Sequence, residues 1–354
     1  MTERVELAPG YSVCRVVNGL WQLSRGHRSE AVNPNQAVQT LLHLVDAGFT
    51  TFDCADIYLG VEELLGLLLR ELKRSHRDPT TVEIHTKYVP DRSALATLER
   101  SEVSRAVEGS LGRLGVERLD LVQLHWWDYD QPNFVEVAGW LSELCEEGKI
   151  RCMGTTNLDP PRLENLVAAG IPIVTNQVQY SLLDRRVERA MTDLCLSNGI
   201  RLLCYGVLAG GFLAERFLGA PEPHPPFENR SLVKYKLIID EFGGWDLQQE
   251  LLETLRKIAA KHSTTIAAVA ARWVLDRDRV AAVMIGTRSE AHIDDNLGVF
   301  EIRLDGEDRD RIDKILMRAE GPTGEPFELE RQPESHHSKI MWTDLNSQRN
   351  SQSD

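Results

Sequence analysis

Short apolar runs alternate with longer amphipathic ones along most of the 354 residues. The short runs are apolar and often β-branched without clean alternation, which is typical of strands buried on both faces. Eight of them predict strands, over residues 14–20, 50–54, 82–87, 119–125, 150–156, 173–180, 201–207 and 280–286. The amphipathic runs carry apolar residues at helical spacing. They predict helices from Pro34 to Gly48, from about Glu62 to Leu69, from about Ser101 to Gly115, and near residues 134–147, 160–169, 186–198, 247–262 and 289–298.

Eight strand–helix units in succession predict an α/β protein, a single (β/α)8 barrel. The opening VELAPGYSV predicts a small hairpin ahead of the first barrel strand. Two segments interrupt the repeat: a long insertion with Pro and Gly over 206–245, and an extra amphipathic helix over 263–276. Another helix, over about 305–319, follows the last barrel helix. The insertion is expected to lie at the mouth of the barrel, where such loops vary and carry function.

The chain becomes polar and irregular from Gly321 onward and ends in NSQRNSQSD. Such a composition is typical of segments that bury little apolar surface. We therefore expect one barrel over residues 1–320, followed by a C-terminal loop and polar tail over 321–354 that is partly disordered.

Composition narrows the classes of partner. Hydrophobic residues make up 42% of the chain and charged residues 27%, as in a globular protein. A net charge of −14 argues against nucleic acid or an acidic membrane as a partner. Six cysteines without a C-x-x-C pair indicate reduced thiols, and the polar start MTERVELAPG predicts no signal peptide. We therefore expect a cytoplasmic protein with no membrane segment.

Four polar groups stand where predicted strands end. Asp53 and Tyr58 follow the second strand, Lys87 ends the third and His125 ends the fourth. Each alone suits an ordinary role, as a capping acid, a half-buried tyrosine, a solvated lysine or a core histidine. Together they would meet at the carboxyl ends of neighbouring strands, where barrels of this kind carry their active sites. The set predicts a proton-donating site suited to reduction of a carbonyl by hydride.

Several co-linear motifs resemble the aldo/keto reductase superfamily. They are FDCADIY with EELLG, then VSRAVEGSLGRLGVERLDLVQLHWWD, MGTTN, NQVQYS and IGTRSEAHIDDN, and they extend over about residues 10–318. The resemblance implies that Asp53, Tyr58, Lys87 and His125 form a catalytic tetrad. Tyr58 would donate the proton, Lys87 would lower its pKa from about 10, Asp53 would hold Lys87, and His125 would orient the substrate oxygen.

The resemblance also implies an extended nicotinamide cofactor, since no G-x-G-x-x-G follows a strand. Thr156, Asn157 and Gln177 would hold its carboxamide, whose groups both donate and accept. Tyr205 would stack on the nicotinamide ring. The loop GVLAGGFL, with Leu208, would wrap the pyrophosphate, although Gly206 and Val207 replace a Ser-Pro that is common in the family.

The family's 2′-phosphate turn matches Gly286, Thr287 and Arg288, which favours NADPH, with NADH possible. His292 stands where many members carry Gln or Arg, and Asp295 and Asn296 match residues near the adenine.

Aromatic residues mark the substrate side. Trp21 follows the first strand, and Trp126 and Trp127 follow the predicted catalytic histidine. Aromatic walls favour an apolar or ring-shaped carbonyl, or the faces of a sugar. One of the two adjacent tryptophans is expected to pack outside the pocket. Residues 215–245 and the tail around Phe327–Trp342 are candidates to close over it.

The leading hypothesis is reversible reduction of a small-molecule carbonyl to an alcohol with NADPH. A second is a non-enzymatic, cofactor-binding regulatory subunit like the potassium-channel β subunits, which share the fold. A third, a metal-dependent (β/α)8 hydrolase, requires His and carboxylate ligands such as H-x-H. The chain has no H-x-H, so no metal is expected.

Overall fold

The computed structural model describes residues 2–25, 32–287, 290–341 and 343–346. Strands β1 (Arg4–Ala8) and β2 (Tyr11–Cys14) form an antiparallel hairpin. Eight parallel strands then close a barrel in chain order, which confirms the predicted hairpin and (β/α)8 fold. They are β3 (Val16–Gly19), β4 (Thr51–Asp53), β5 (Glu83–Tyr88), β6 (Leu119–His125), β7 (Ile150–Thr156), β8 (Ile173–Gln179), β9 (Arg201–Tyr205) and β10 (Val280–Gly286).

The hairpin closes the amino-terminal end of the barrel. Leu7 and Tyr11 pack with the strand residues Leu121 and Leu203 in one buried apolar cluster. The hydroxyl of Tyr11 lies 3.0 Å from Nε2 of His85 in β5. Because the hairpin fills this end, ligands have access to the barrel from its carboxyl end.

Helices surround the strands and enclose most of the apolar core. They are α1 (Pro34–Asp46), α2 (Val61–Arg74), α3 (Arg100–Leu114), α4 (Phe134–Glu146), α5 (Pro160–Ala168), α6 (Ala190–Asn198), α7 (Arg230–Phe242), α8 (Gly244–Lys261), α9 (Ile266–Leu275), α10 (Ile293–Glu301), α11 (Gly306–Leu316) and α12 (Glu328–Arg331). The predicted start of α1 is confirmed: the Asn33 side chain accepts from two backbone amides, and Pro34 occupies the first turn. No helix in the described ranges is both long and apolar enough to cross a bilayer.

The insertion over 206–245 differs from the expected loop because its second half is helix α7. The Asn229 side chain caps this helix by accepting from the amide of Leu232 at 3.1 Å. Tyr235 and Phe242 lie on its buried face. The preceding GAPEPHPPF obscured the helical spacing, and the structure shows that the insertion forms one wall of the barrel mouth.

The helix predicted over 186–198 begins only at Ala190. Arg186 is drawn instead into a buried ion pair with Asp184, with 2.7 Å between Nη2 and Oδ2. This ion pair lies in the turn after β8, and α6 is therefore shorter than the predicted helix.

The C-terminal segment, which denotes here the described residues of 321–346, returns across the barrel mouth. Its residue Glu330 pairs with Lys234 at 3.1 Å and with Arg186 at 3.6 Å. Near its end, the carbonyl of Thr343 accepts from the amide of Arg92 at 2.9 Å. The division of the chain into a barrel and a partly disordered tail remains a prediction.

Candidate active site

A cavity of about 880 Å³ opens at the carboxyl ends of the barrel strands. Most residues predicted from the sequence line it: Trp21, Asp53, Tyr58, Lys87, His125, Thr156, Asn157, Gln177, Tyr205, Leu208, Gly286, His292, Asp295 and Asn296. Trp126 and Thr287 do not line it, and Arg288 lies outside the described residues.

A buried ion pair forms the base of the site. Lys87, near the end of β5, donates to Oδ2 of Asp53 at 2.5 Å and to the carbonyl of Cys54 at 2.8 Å. Both charged side chains are about 5% exposed. Burial works against the charged form of Lys87, but the negative charge of Asp53 and the hydrogen bond to it raise the pKa of Lys87 above its ordinary value. Lys87 is therefore a permanent ammonium.

Tyr58 lies beside that ammonium. It follows a turn in which its amide donates to the carbonyl of Ala55 at 3.0 Å. Nζ of Lys87 lies 5.1 Å from the centroid of the Tyr58 ring. Burial raises the pKa of Tyr58 above 10, and Lys87 opposes that rise without reversing it. Lys87 thus acts on the Tyr58 pKa in the expected direction, but burial of the phenol has the larger and opposite effect.

His125 ends β6 and is 4% exposed. Its Nε2 is buried and has no hydrogen-bond partner among the residues that the structure describes. Burial, and next the charge of Arg331, hold the pKa of His125 well below its ordinary range. The imidazole is therefore neutral, and Nε2 is available to a ligand in the cavity.

Two glutamines form hydrogen bonds with the carboxylate oxygen of Asp53 that Lys87 does not contact. Oδ1 of Asp53 accepts from Nε2 of Gln177 at 2.8 Å and from Nε2 of Gln123 at 3.1 Å. Gln177 also donates to Oε1 of Gln123 at 3.0 Å. Gln123 was not among the residues predicted from the sequence; its signal is a lone amide within the apolar run LDLVQLH. The carboxylate thus receives three hydrogen bonds that fix it toward Lys87.

The predicted carboxamide residues lie together at the ends of β7, β8 and β9. The hydroxyl of Thr156 donates to the carbonyl of Gln177 at 3.2 Å. Asn157 has a φ of +57°, which turns its side chain back toward β9. There its Oδ1 accepts from the hydroxyl of Tyr205 at 2.8 Å. This bond fixes the edge of the Tyr205 ring and leaves ring surface in the cavity.

The loop after β9 is shaped by glycines. Gly206, Gly210 and Gly211 have φ between +64° and +98°, a region that favours glycine. A Cβ atom on Gly206 would lie 2.5 Å from the hydroxyl of Tyr235 in α7. Leu208 lies between these glycines and lines the cavity. The loop leaves a groove of backbone, which suits the pyrophosphate of a dinucleotide.

Residues at and after the end of β10 line another part of the same cavity, which is the region predicted to bind the adenine end of the cofactor. Gly286, Asp295 and Asn296 line it, and Nδ1 of the exposed His292 lies 3.1 Å from Oδ2 of Asp295. Thr287 differs from expectation because its hydroxyl turns inward, 3.3 Å from Oδ1 of Asn18, and it does not line the cavity.

The substrate side shows which tryptophan faces the cavity. Trp126 is fully buried, and its Nε1 donates to the carbonyl of Gln131 at 3.1 Å, so its predicted substrate role is corrected. Trp127 lines the cavity instead, with its ring centroid 4.1 Å from that of His125. Trp21 lies 4.8 Å from the Tyr58 ring. The C-terminal segment completes this wall with Phe327, Ile340, Met341 and Leu345.

Comparison with known proteins agrees with this geometry. A family model described as the aldo/keto reductase family matches residues 15–317. The flagellar radial spoke protein 5 of Chlamydomonas reinhardtii is 31% identical over 300 residues, which are 68% of this chain and 56% of that protein. The chain thus spans little more than half of that relative.

Two further proteins match over nearly their whole length. The NADH-specific methylglyoxal reductase of Escherichia coli is 26% identical over 87% of this chain and 94% of its own. The crystal structure of a glycerol dehydrogenase from Gluconobacter oxydans superposes with a TM-score of 0.73, at 26% identity, over 89% of this chain and 95% of that one. With the family model matching most of its length and an eight-stranded barrel carrying the expected residues at its mouth, this chain belongs to the aldo/keto reductase family.

Proposed function

We propose that the protein reduces an aldehyde or ketone to an alcohol, reversibly, with Tyr58 as the proton donor. The observation that supports this proposal most directly is a cluster in one cavity. Asp53, Lys87 and Tyr58 lie there beside Nε2 of His125, which is buried and has no hydrogen-bond partner among the described residues. A group that donates a proton, a fixed cation and a neutral imidazole are what a developing alkoxide requires.

The bound cofactor would supply hydride to the carbonyl carbon, and the chain's own residues would manage the proton and the charge. Tyr58 is protonated at neutral pH, as an ordinary phenol is, and the nearby Lys87 lowers the cost of giving up its proton. As negative charge grows on the substrate oxygen, the proton passes to it from the phenol. Lys87, held by Asp53, then stabilises the phenolate that remains.

His125 would orient the carbonyl. It lies on the strand next to Lys87, and its ring is held by Trp127 at 4.1 Å and by Phe327 at 5.6 Å between centroids. Two rings packed edge-on leave the imidazole little freedom. Nε2 would therefore meet the substrate oxygen from a fixed direction.

Asn157, Gln177 and Tyr205 fit a nicotinamide, since an aromatic face and amide groups lie together at the ends of neighbouring strands. We propose NADPH as the preferred cofactor, with NADH also used, as the NADH-specific relative suggests for this family.

Arg288→Ala should raise KM for NADPH roughly tenfold and KM for NADH little, since an arginine–phosphate pair contributes at least about 1.4 kcal/mol. Equal effects on the two cofactors would remove Arg288 as the phosphate ligand.

The side chains that line the cavity indicate the class of substrate. Trp21 packs beside Tyr58, Trp127 and Phe327 pack beside His125, and the apolar side chains of Ile340 and Met341 also line the cavity. Such walls favour carbonyls with an apolar or aromatic body over small hydrated ones.

The experiment is a panel of aldehydes, ketones and sugars with NADPH and with NADH, followed at the absorbance of the reduced cofactor. We expect multiple turnovers, fastest with aromatic or alkyl aldehydes. Cofactor binding without turnover of any compound would favour the regulatory alternative, and absence of cofactor binding would overturn both.

A further inference from the structure

Arg331 stands out among the residues that the reaction does not directly use. It ends α12 in the C-terminal segment, and its guanidinium lies 4.0 Å from the Tyr129 ring centroid and 4.9 Å from that of Phe327. The Arg331 Nε atom is buried without a hydrogen-bond partner in the described chain. An arginine is thus enclosed next to the candidate active site.

The bonds of this guanidinium reach two strand ends. Nη2 of Arg331 donates to the carbonyl of Trp126 at 2.9 Å and to the carbonyl of Asn157 at 2.8 Å. Trp126 follows His125 at the end of β6, and Asn157 follows Thr156 at the end of β7. A single nitrogen therefore joins the backbones that carry the imidazole and the predicted nicotinamide contact.

The backbone at Asn157 has an uncommon conformation that several bonds hold in place. Its φ of +57° lies in the left-handed region, which is uncommon for a residue with a Cβ, although asparagine adopts it more readily than most. Its amide donates to the carbonyl of Gln177 at 2.8 Å, and its own carbonyl also accepts from the Tyr129 hydroxyl at 3.3 Å. Since Oδ1 of Asn157 receives the Tyr205 hydroxyl, a shift of this backbone would move the Tyr205 ring.

The charge of Arg331 also bears on the site. Arg162 lies over the same Tyr129 ring at 4.4 Å and pairs with Asp159 at 3.1 Å, whereas Arg331 forms no ion pair with a carboxylate in the described ranges. Carbonyl oxygens and ring faces contact this partly buried cation, and the negative charges of Asp159 and Glu330 act on it from outside ion-pair distance. The positive charge of Arg331 acts in turn on the neighbouring His125.

We propose that Arg331 is a positioning residue of the active site, which fixes the ends of β6 and β7 so that His125 and the Asn157–Tyr205 pair face the substrate and cofactor. The inference rests on the proposed function, because these are the groups that function uses. It makes the C-terminal segment part of the catalytic architecture as well as a wall of the pocket.

The test compares Arg331→Met and Arg331→Lys with Arg162→Met, the matched removal of an arginine from the same ring. Misplacement of reacting groups by a fraction of an ångström to 1 Å costs up to about 10²-fold in rate, so we expect R331M to lower kcat at least roughly tenfold. R331K keeps the charge but lacks the planar fork, and should lower kcat by a smaller factor. R162M should keep kcat, and all three should bind NADPH, with R331M the weakest.

A second readout needs no turnover. The cations acting on His125 are Arg331 from α12, Lys87 from β5 and Lys234 from α7, with the Thr156 backbone also bonded to its ring. NMR titration of the protein without ligand should show a higher pKa for His125 in R331M, an unchanged one in R162M and nearly the wild-type one in R331K. The assignment is overturned if R331M retains wild-type kcat and His125 titration, or if R162M changes both equally.

The proposed function can fail separately. If the wild type turns over no carbonyl, the reaction assignment falls, while the His125 titration and NADPH affinity of R331M still decide whether Arg331 fixes the strand ends. Should R331M not fold, R331K decides: wild-type kcat and NADPH affinity in that variant would contradict the proposal.

Discussion

Two regions face each other across the cavity and are built in different ways. At the strand ends, Asp53 receives three hydrogen bonds from Lys87, Gln123 and Gln177, all from within the barrel. The C-terminal segment instead reaches the barrel through the buried Glu330 ion pairs, Arg331 and backbone contacts at its far end. The difference supports the proposal that the barrel fixes the reacting groups, whereas the segment orients them and forms part of the cavity wall.

Apart from loss of the proton donor itself, removing the central cation should have the largest effect. Lys87→Met removes the group that stabilises the phenolate, and we expect kcat to fall by about 10³-fold, within the range of acid–base catalysis. It also leaves the Asp53 carboxylate buried without its cation, which should lower the free energy of unfolding by about 3–5 kcal/mol. Stopped-flow kinetics and chemical denaturation measure the two effects. Lys149→Met, at a surface ion pair, is the control; a similar loss there would show that the effect is not specific.

Deleting the C-terminal segment should have the next largest effect. A chain ending at Glu320 loses Phe327 and Arg331 together, and we expect kcat/KM to fall roughly 10²-fold, most for apolar carbonyls. The barrel should retain its circular dichroism, because the family match ends at residue 317. A chain ending at Asn346 is the control and should behave as wild type. Full activity after deletion at Glu320 would place the segment outside the site.

The smallest effect should come from loosening the segment without removing it. Burial alone would raise the pKa of Glu330, but Lys234, Arg186 and His337 lower it to about 2. Its carboxylate therefore stabilises the fold above the ordinary glutamate pKa of about 4.3. That contribution is lost as the pH falls from there toward 2.

Glu330→Gln should accordingly lower the free energy of unfolding by about 2–3 kcal/mol at pH 7. The difference from wild type should shrink below about pH 4, with kcat changed only a few-fold. Denaturation at several pH values measures it, with the exposed Glu334→Gln as control. A difference that persisted unchanged at pH 3 would contradict the role of the ion pairs.

The sequence predicted the barrel side of this comparison better than the segment. Strand-end polar residues such as Asp53 and Lys87 are local signals, because parallel strands bring their carboxyl ends to one edge. The choice between Trp126 and Trp127 depended on a one-residue register that the pattern leaves open. Arg331 contacts carbonyls 205 and 174 residues earlier in the chain, and no local pattern encodes such a contact.

The net direction of the Tyr58 pKa shift could not be predicted for a related reason. The sequence places Lys87 nearby, and an ammonium lowers the pKa of a phenol. How deeply the phenol is buried depends on the rings and loops that surround it, and that burial is the largest effect. Proximity of charge could be inferred from strand order, but desolvation could not.

The most direct test of the central claim is a single-turnover measurement of Tyr58→Phe with NADPH and the best carbonyl of the panel. Tyr88→Phe, a buried tyrosine adjacent to Lys87 but outside the cavity lining, is the matched control. We expect Y58F to bind NADPH as wild type does and to lose about 10³–10⁴-fold in the reduction rate, with Y88F unchanged. Reduction by Y58F at the wild-type rate would contradict the assignment of Tyr58 as the proton donor.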